Sequence, residues 1–269
     1  MDQTAIVLSI AGYDPSSGAG VTADVKTMAA HGCYGLTCVT ALTVQSTLGV
    51  RRVEPVDAQL VAQMLAELAL DFTMSGVRIG MLGSAEVAEA VAGWLESMRL
   101  PVVVLDPILK ASAGADLLDS RGLEVLKHRL LRLAHVVTPN IAEAAILTGM
   151  EVKDVPSMRT AAERLHELGA RAVVITGGHL KRPVDLLSVA RPGKKVRQTE
   201  FAGKRMDSSC THGTGCAFST ALACNLARGF ELGDSVRASG RYVQEAIAHA
   251  RPLGRGEGPI NHLYAMREE

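Results

Sequence analysis

Short apolar runs alternate with amphipathic stretches along the whole chain. The runs Ala5–Ile10, Tyr34–Thr40, Gly76–Gly80, Pro101–Leu105, His135–Thr138 and Ala172–Thr176 are apolar almost throughout. That is the pattern of strands covered on both faces, as in a parallel sheet between helical layers. Between them lie helical stripes: Val21, Val25, Met28 and Ala29 predict one buried face. Leu60, Met64, Leu65 and Leu68 predict another, behind Asp57 as N-cap. Asp185–Ala190 and Lys195–Ala202 flank Pro192-Gly193 and predict a hairpin, and two helices, Gly213–Arg228 and Gly233–Ala250, close the chain. The expected architecture is α/β: one domain over 1–269, a doubly wound, mostly parallel sheet with helices on both faces and an antiparallel edge.

Composition narrows the function. The 269 residues carry 28 Lys plus Arg against 28 Asp plus Glu, and aromatics are only 3%. Nucleic-acid binding is not expected, because it needs clustered cations and stacking platforms. No apolar run reaches bilayer length, and Asp2 stands where a secretory leader would be basic, so a cytoplasmic protein with no membrane partner is expected. The five cysteines include no C-x-x-C pair, which argues against a disulfide framework. Cys210, His212 and Cys216 invite a zinc reading, but no second cluster completes a tetrahedral set.

Ligands in such sheets sit at the carboxyl ends of the strands, so chemistry is sought in the loops leaving them. Gly12-Tyr-Asp-Pro-Ser-Ser-Gly-Ala-Gly20 opens a helix and lets backbone approach a ligand, yet it matches neither the Rossmann nor the P-loop fingerprint. Asp24 lies one turn into that helix. Thr211-His-Gly-Thr-Gly-Cys216 feeds a second helix, whose free N–H groups suit a developing anion; the helix dipole there is expected to lower the Cys216 pKa. Leu105-Asp106-Pro107 ends a strand with a carboxylate. Asn140 and Glu143 have capping-box spacing, and Thr176-Gly-Gly-His179 is a flexible strand end. Gathered at one sheet edge, these loops form a site.

Several segments in this order carry a family resemblance: Ile10–Gly20 with Ala23–Thr27, Thr40-Ala-Leu-Thr-Val-Gln45, Ile79-Gly-Met-Leu82 and Leu105-Asp-Pro107. They continue with Thr138-Pro-Asn140, Gly177-Gly-His179, Thr211–Cys216 and the tail Gly254–His262. On these the chain resembles the hydroxymethylpyrimidine and phosphomethylpyrimidine kinases of thiamin biosynthesis, in the ribokinase-like superfamily. The resemblance implies ATP and Mg²⁺ as cofactors, a small-molecule substrate and a homodimer. It implies Cys216 as catalytic base, with Gly213, Thr214 and Gly215 completing the anion hole. Gln45 and Asp24 would hold the aminopyrimidine in a pocket shaped by Gly12, Ala19, Thr43 and Met81. Asp106, Asn140 and Glu143 would serve phosphate and magnesium, with Asp106 and Glu143 as metal ligands, and Thr176 and Gly178 would face the nucleotide. The chain departs from the family in having Thr176 and Ser112 where lysine is common, with Lys110 nearby, and Ser208-Ser-Cys210 before the anion hole. The rival readings are a vitamin B6 kinase on the same scaffold and a non-catalytic pyrimidine-binding regulator. Gln45 separates the first, since relatives that prefer pyridoxal tend to be apolar there; an intact anion hole and Glu143 weigh against the second.

Overall fold

The computed structural model describes residues 4–110, 117–178, 180–191 and 193–266. Among these residues nine strands form one sheet in the order β3-β2-β1-β4-β5-β6-β7-β8-β9. They are β1 (Ile6–Tyr13), β2 (Tyr34–Ser46), β3 (Gly49–Pro55), β4 (Gly76–Ile79), β5 (Val103–Leu105), β6 (Val136–Val137), β7 (Ala172–Ile175), β8 (Val184–Arg191) and β9 (Lys194–Ala202). β2, β1, β4, β5, β6 and β7 are parallel, whereas β3 pairs antiparallel with β2 at one edge and β8 pairs antiparallel with both β7 and β9 at the other. Chain order reverses around β1, with β2 on one side and β4 on the other. The loops after β1 and β4 therefore diverge at a switch point, where α/β sheets open a crevice.

The helices begin with α1 (Gly20–Ala30), α2 (Ala58–Asp71) and α3 (Ala85–Ser97). Next, α4 (Ser120–Val125) runs through a π turn, Leu126–Leu130, into α5 (Leu131–Leu133). Then come α6 (Ile141–Thr148), α7 (Val155–Glu167), α8 (Thr214–Ala227) and α9 (Leu232–Ala248). The larger apolar layer joins Leu8, Ile10, Ile79 and Leu105 of the sheet to Leu65, Val91 and Leu165 of α2, α3 and α7. The other face packs Val7, Val104 and Val174 on Phe218 and Leu222 of α8 and Val236 of α9.

The expected strands and hairpin are present, and Asp57 caps α2 by accepting from the Leu60 N–H. Three expectations need correction. β2 continues six residues beyond Thr40 and turns into β3, an edge strand outside the expected set. On α1 the buried face is Val21, Ala23, Asp24, Thr27 and Met28, while Val25 is 40% exposed. On α2 the inward residues are Val61 and Leu65, and Leu60 is exposed.

Candidate active site

Two glycine-rich loops meet over the sheet. Asp14 organises the first: its Oδ1 accepts from the Ser16 N–H and hydroxyl at 2.8 and 2.6 Å, and its Oδ2 from the Ala19 N–H at 2.9 Å. His212 Nε2, on the second loop, reaches the same Oδ2 at 2.9 Å. Burial pushes the Asp14 carboxyl up, but His212, Ser16 and the Ala19 amide outweigh it and pull the pKa down to about 2. Glycine is required where the loops touch. A Cβ on Gly18 would lie 2.2 Å from His212 Cδ2, and one on Gly213, whose φ is +85°, 1.8 Å from the Gly18 carbonyl oxygen.

α1 and α8 both start here, each without a side-chain cap. The first amide groups of an α-helix have no partner within it, so the Gly215 and Cys216 N–H groups are available to an anion. The Thr214 N–H instead closes a turn onto the Thr211 carbonyl at 3.3 Å. The Cys216 thiol is buried and receives the Gly20 N–H from the head of α1. Its expected low pKa is not found. Burial pushes it up to about 11, helped by Asp106 and Asp24 and opposed by Arg78 and the Gly20 amide. Desolvation outweighs the helix-start field, so the resting group is a thiol.

Beneath Cys216 lies an ion cluster that the sequence did not reveal. Arg78, fully buried on β4, donates to Asp24 Oδ2 at 3.0 Å, Asp106 Oδ2 at 2.6 Å and Ser219 Oγ at 3.1 Å. Burial works against its charge, but the Asp24 and Asp106 carboxylates hold it ionised. Gly80 makes room, since a Cβ there would sit 2.1 Å from Arg78 Nη1. Asp24 also accepts from Ser9 at 2.5 Å and Thr220 at 2.8 Å, and it is 0% exposed. Asp24, expected to hold the substrate ring, is thus buried here with both its oxygens accepting from groups within the protein.

The remaining pocket residues do converge. Gly12 and Met81 touch, a Cβ on Gly12 falling 3.1 Å from Met81 Cε, and the Ala19 amide faces Asp14. Thr43 Oγ lies 2.9 Å from the Tyr13 carbonyl and 3.2 Å from Gln45 Oε1, while Gln45 Nε2 lies 3.2 Å from His212 Nε2. A C-terminal strap holds this arrangement from behind. The Arg255 and Gly256 amides reach Thr47 Oγ, the Glu257 amide bonds the Thr47 carbonyl, and the His212 amide bonds the Gly258 carbonyl.

Asp106, Asn140, Glu143 and Thr176 follow adjacent strands. Asn140 and Glu143 form the expected capping box, and Thr176 bridges to Asn140. Burial and the nearby Asp106 charge push Glu143 up to about 8, against the Asn140 and Leu109 amides and Arg78. Beyond Gly178, exposed at the end of this row, a cavity of about 350 Å³ opens between the β8–β9 hairpin and α9. It is lined by Asp185, Phe201, Gly203, Val236, Gly240 and Gln244, among others. Asp185 accepts from the Gly177 N–H, and burial pushes it up to about 6. Ser112 and His179 lie outside the described residues. Among the described residues no three His, Cys, Asp or Glu are grouped to hold a metal ion, which leaves the Cys210–His212–Cys216 zinc reading without support.

A family model described as phosphomethylpyrimidine kinase matches residues 14–261. The chain belongs to the phosphomethylpyrimidine kinase family. It is 44% identical over 97% of its length to the thiamine biosynthesis bifunctional protein of Geobacter sulfurreducens, of which it spans 53%. It is 39% identical to the hydroxymethylpyrimidine/phosphomethylpyrimidine kinase of Haemophilus influenzae, covering 95% of this chain and 96% of that one. The crystal structure of phosphomethylpyrimidine kinase from Clostridium difficile matches with a TM-score of 0.78 at 33% identity, over 91% of this chain and all of that one. An ADP complex of Bacillus subtilis pyridoxal kinase matches at 0.86, also with 33% identity, over 98% and 99% of the two chains. The fold of this kinase is thus ribokinase-like, and fold similarity alone does not separate the two substrate classes. Among the described residues no helix is long and apolar enough to cross a membrane.

Proposed function

We propose that this kinase transfers the γ-phosphoryl group of ATP to the hydroxymethyl oxygen of 4-amino-5-hydroxymethyl-2-methylpyrimidine, and then to the resulting monophosphate. The observation that carries the reading is the contact of Gln45 with His212. It joins a side chain able to pair with an aminopyrimidine edge to the loop that starts α8 and its anion-binding turn. Curated relatives named hydroxymethylpyrimidine/phosphomethylpyrimidine kinase, at 37–40% identity over nearly the whole chain, support it.

Phosphoryl transfer asks chiefly for positioning and charge stabilisation. Gly12, Ala19, Thr43 and Met81 shape the acceptor pocket, and the Gly213–Cys216 turn stabilises charge on the transferring group. Cys216, once in its thiolate form, accepts the proton of the attacking hydroxyl and becomes the thiol. A thiol raised to about 11 contributes little thiolate at rest, so its share is at the low end of general-base effects. Asp106 and Glu143 would hold Mg²⁺ together with nucleotide oxygens. Their hard oxygens suit it. When bound, Mg²⁺ supplies charge neutralisation between the phosphates. Thr176 and Gly178 would lie toward the nucleotide, and the cavity at Asp185 would take its base. A homodimer belongs to the same reading. Leu42, Val44 and Leu48, each more than half exposed around the β2–β3 hairpin, support it, and sedimentation would test it.

The solved pyridoxal kinases favour a second reading, phosphorylation of pyridoxal. The deciding experiment is ATP-dependent product formation resolved by mass, with hydroxymethylpyrimidine, its monophosphate and pyridoxal offered separately. Mono- and diphosphates from the pyrimidines with little pyridoxal phosphate are expected. Preference for pyridoxal would replace the reading.

A further inference from the structure

Hydrogen-bond polarity around Gln45 leads to an unassigned role for His212. Asp14 is ionised, so its Oδ2 can only accept, and His212 Nε2 at 2.9 Å must be the donor. This holds whether the ring is neutral or carries both protons. A nitrogen that donates cannot also accept from an amide N–H, yet Gln45 Nε2 stands 3.2 Å away. The contact with Thr43 is mismatched in the same way. Its single hydroxyl hydrogen goes to the Tyr13 carbonyl at 2.9 Å, so only lone pairs face Gln45 Oε1 at 3.2 Å. Turning the amide by half a rotation resolves both contacts at no cost in space, because its oxygen and nitrogen are nearly isosteric. Oε1 then shares the His212 Nε2–H, and Nε2 donates to Thr43.

We propose that His212, held as a donor by Asp14, fixes the orientation of the Gln45 amide and thereby acts as a specificity-determining positioning residue for the substrate ring. The locked amide offers the ligand one N–H and one oxygen lone pair in a set order. A ring nitrogen beside an exocyclic amino group answers that order; a ring lacking the amino group leaves the oxygen unanswered, which is a strong ground for rejection. Without His212 the oxygen end of the amide loses its donor, Thr43 alone orders the group, and the set order is weakened. The packing of the His212 ring against Gly18 holds the donor in place. The proposal rests on the ring-reading role given to Gln45 above.

Two measurements test it. In the ¹⁵N-labelled enzyme, the His212 ring is assigned by comparison with His212→Gln, and its Nε2 is expected to carry a proton. An unprotonated Nε2 overturns the proposal regardless of any kinetics. In steady-state assays, His212→Leu is expected to raise KM for hydroxymethylpyrimidine about tenfold, with a much smaller change in kcat. The preference for pyrimidine over pyridoxal is expected to fall with it. His212→Gln, which keeps an N–H at similar reach, is expected to recover most of the loss. Equal losses in kcat for both substrates, or no recovery, would show a merely structural residue and overturn the proposal. Gln45→Leu separates the two layers. If it leaves the pyrimidine KM unchanged, the ring-reading role fails and the proposal falls with it; if it raises KM while His212→Leu does not, only the proposal falls.

Discussion

Arg78 and Asp106 form a 2.6 Å ion pair in which neither side chain is more than 7% exposed. With Asp24 on the other side of the guanidinium, the pair forms a fixed charge layer between the sheet and the start of α8. Replacing one partner leaves the others charged and without water. Arg78→Met is expected to cost about 3–5 kcal/mol of stability, read from urea denaturation. The Asp24→Asn/Arg78→Met double variant should lose less than the sum of the two single changes. Additive losses would show that the ion pairs do not act as a unit.

The thiol of Cys216 should respond to pH as a buried group. Its alkylation by iodoacetamide is expected to be slow at pH 7 and to climb tenfold per pH unit until about 11. A plateau near pH 7 would mean that the helix start governs the group after all.

Cys216→Ala is expected to slow transfer to the hydroxymethyl group about 100-fold, within the ordinary range for a proton acceptor. Transfer to the monophosphate should suffer less, because a phosphate oxygen is already ionised near neutrality. Single-turnover rates for each acceptor check this, and equal losses would remove the distinction.

Gly213→Ala should be among the most damaging small changes in the chain. The residue sits at φ +85° with no room for a Cβ against the Gly18 carbonyl, so the two loops must separate. Turnover is expected to drop at least about 100-fold, as when an oxyanion donor is lost, while far-UV circular dichroism stays native.

His262 predicts acid sensitivity. Burial, reinforced by Lys26 and His212, lowers its pKa to about 4, and its Nε2 is buried without a partner among the described residues. The unfolded chain therefore takes up this proton first, and stability falls as pH drops from about 6.5 to about 4, by about 3 kcal/mol in total. Glu143, raised to about 8, gives the opposite slope over part of that range. The test is thus the difference between wild type and His262→Gln in urea melts at pH 7, 5.5 and 4.5. Parallel curves would refute the assignment.

What can be read in the sequence follows from physical range. Continuous apolar runs such as Gly76–Gly80 identify covered strands, and glycine clusters such as Gly18–Gly20 identify ligand loops, because both signals are local. β3 is hidden because Gly-Val-Arg-Arg-Val-Glu-Pro, on an exposed edge, carries more charge than apolar character. The Asp14–His212 pair joins residues 198 positions apart, and nothing in the spacing announces it. Arg78 does leave a trace, as the one charge in the apolar run Gly76–Gly80. The Cys216 pKa departs from expectation for a related reason: a helix start is legible in sequence, whereas the depth at which a thiol lies is not.

The strap across Thr47 also bears on the order in which the molecule becomes competent. Gly256 tolerates no Cβ against the Thr47 carbonyl, and the His212 amide is held by Gly258. A ribosome has already released every strand of the sheet by the time it makes these residues. The nascent chain can thus assemble its scaffold early, while the loops at Thr47 and His212 take their final hydrogen bonds only when residues 255–258 dock.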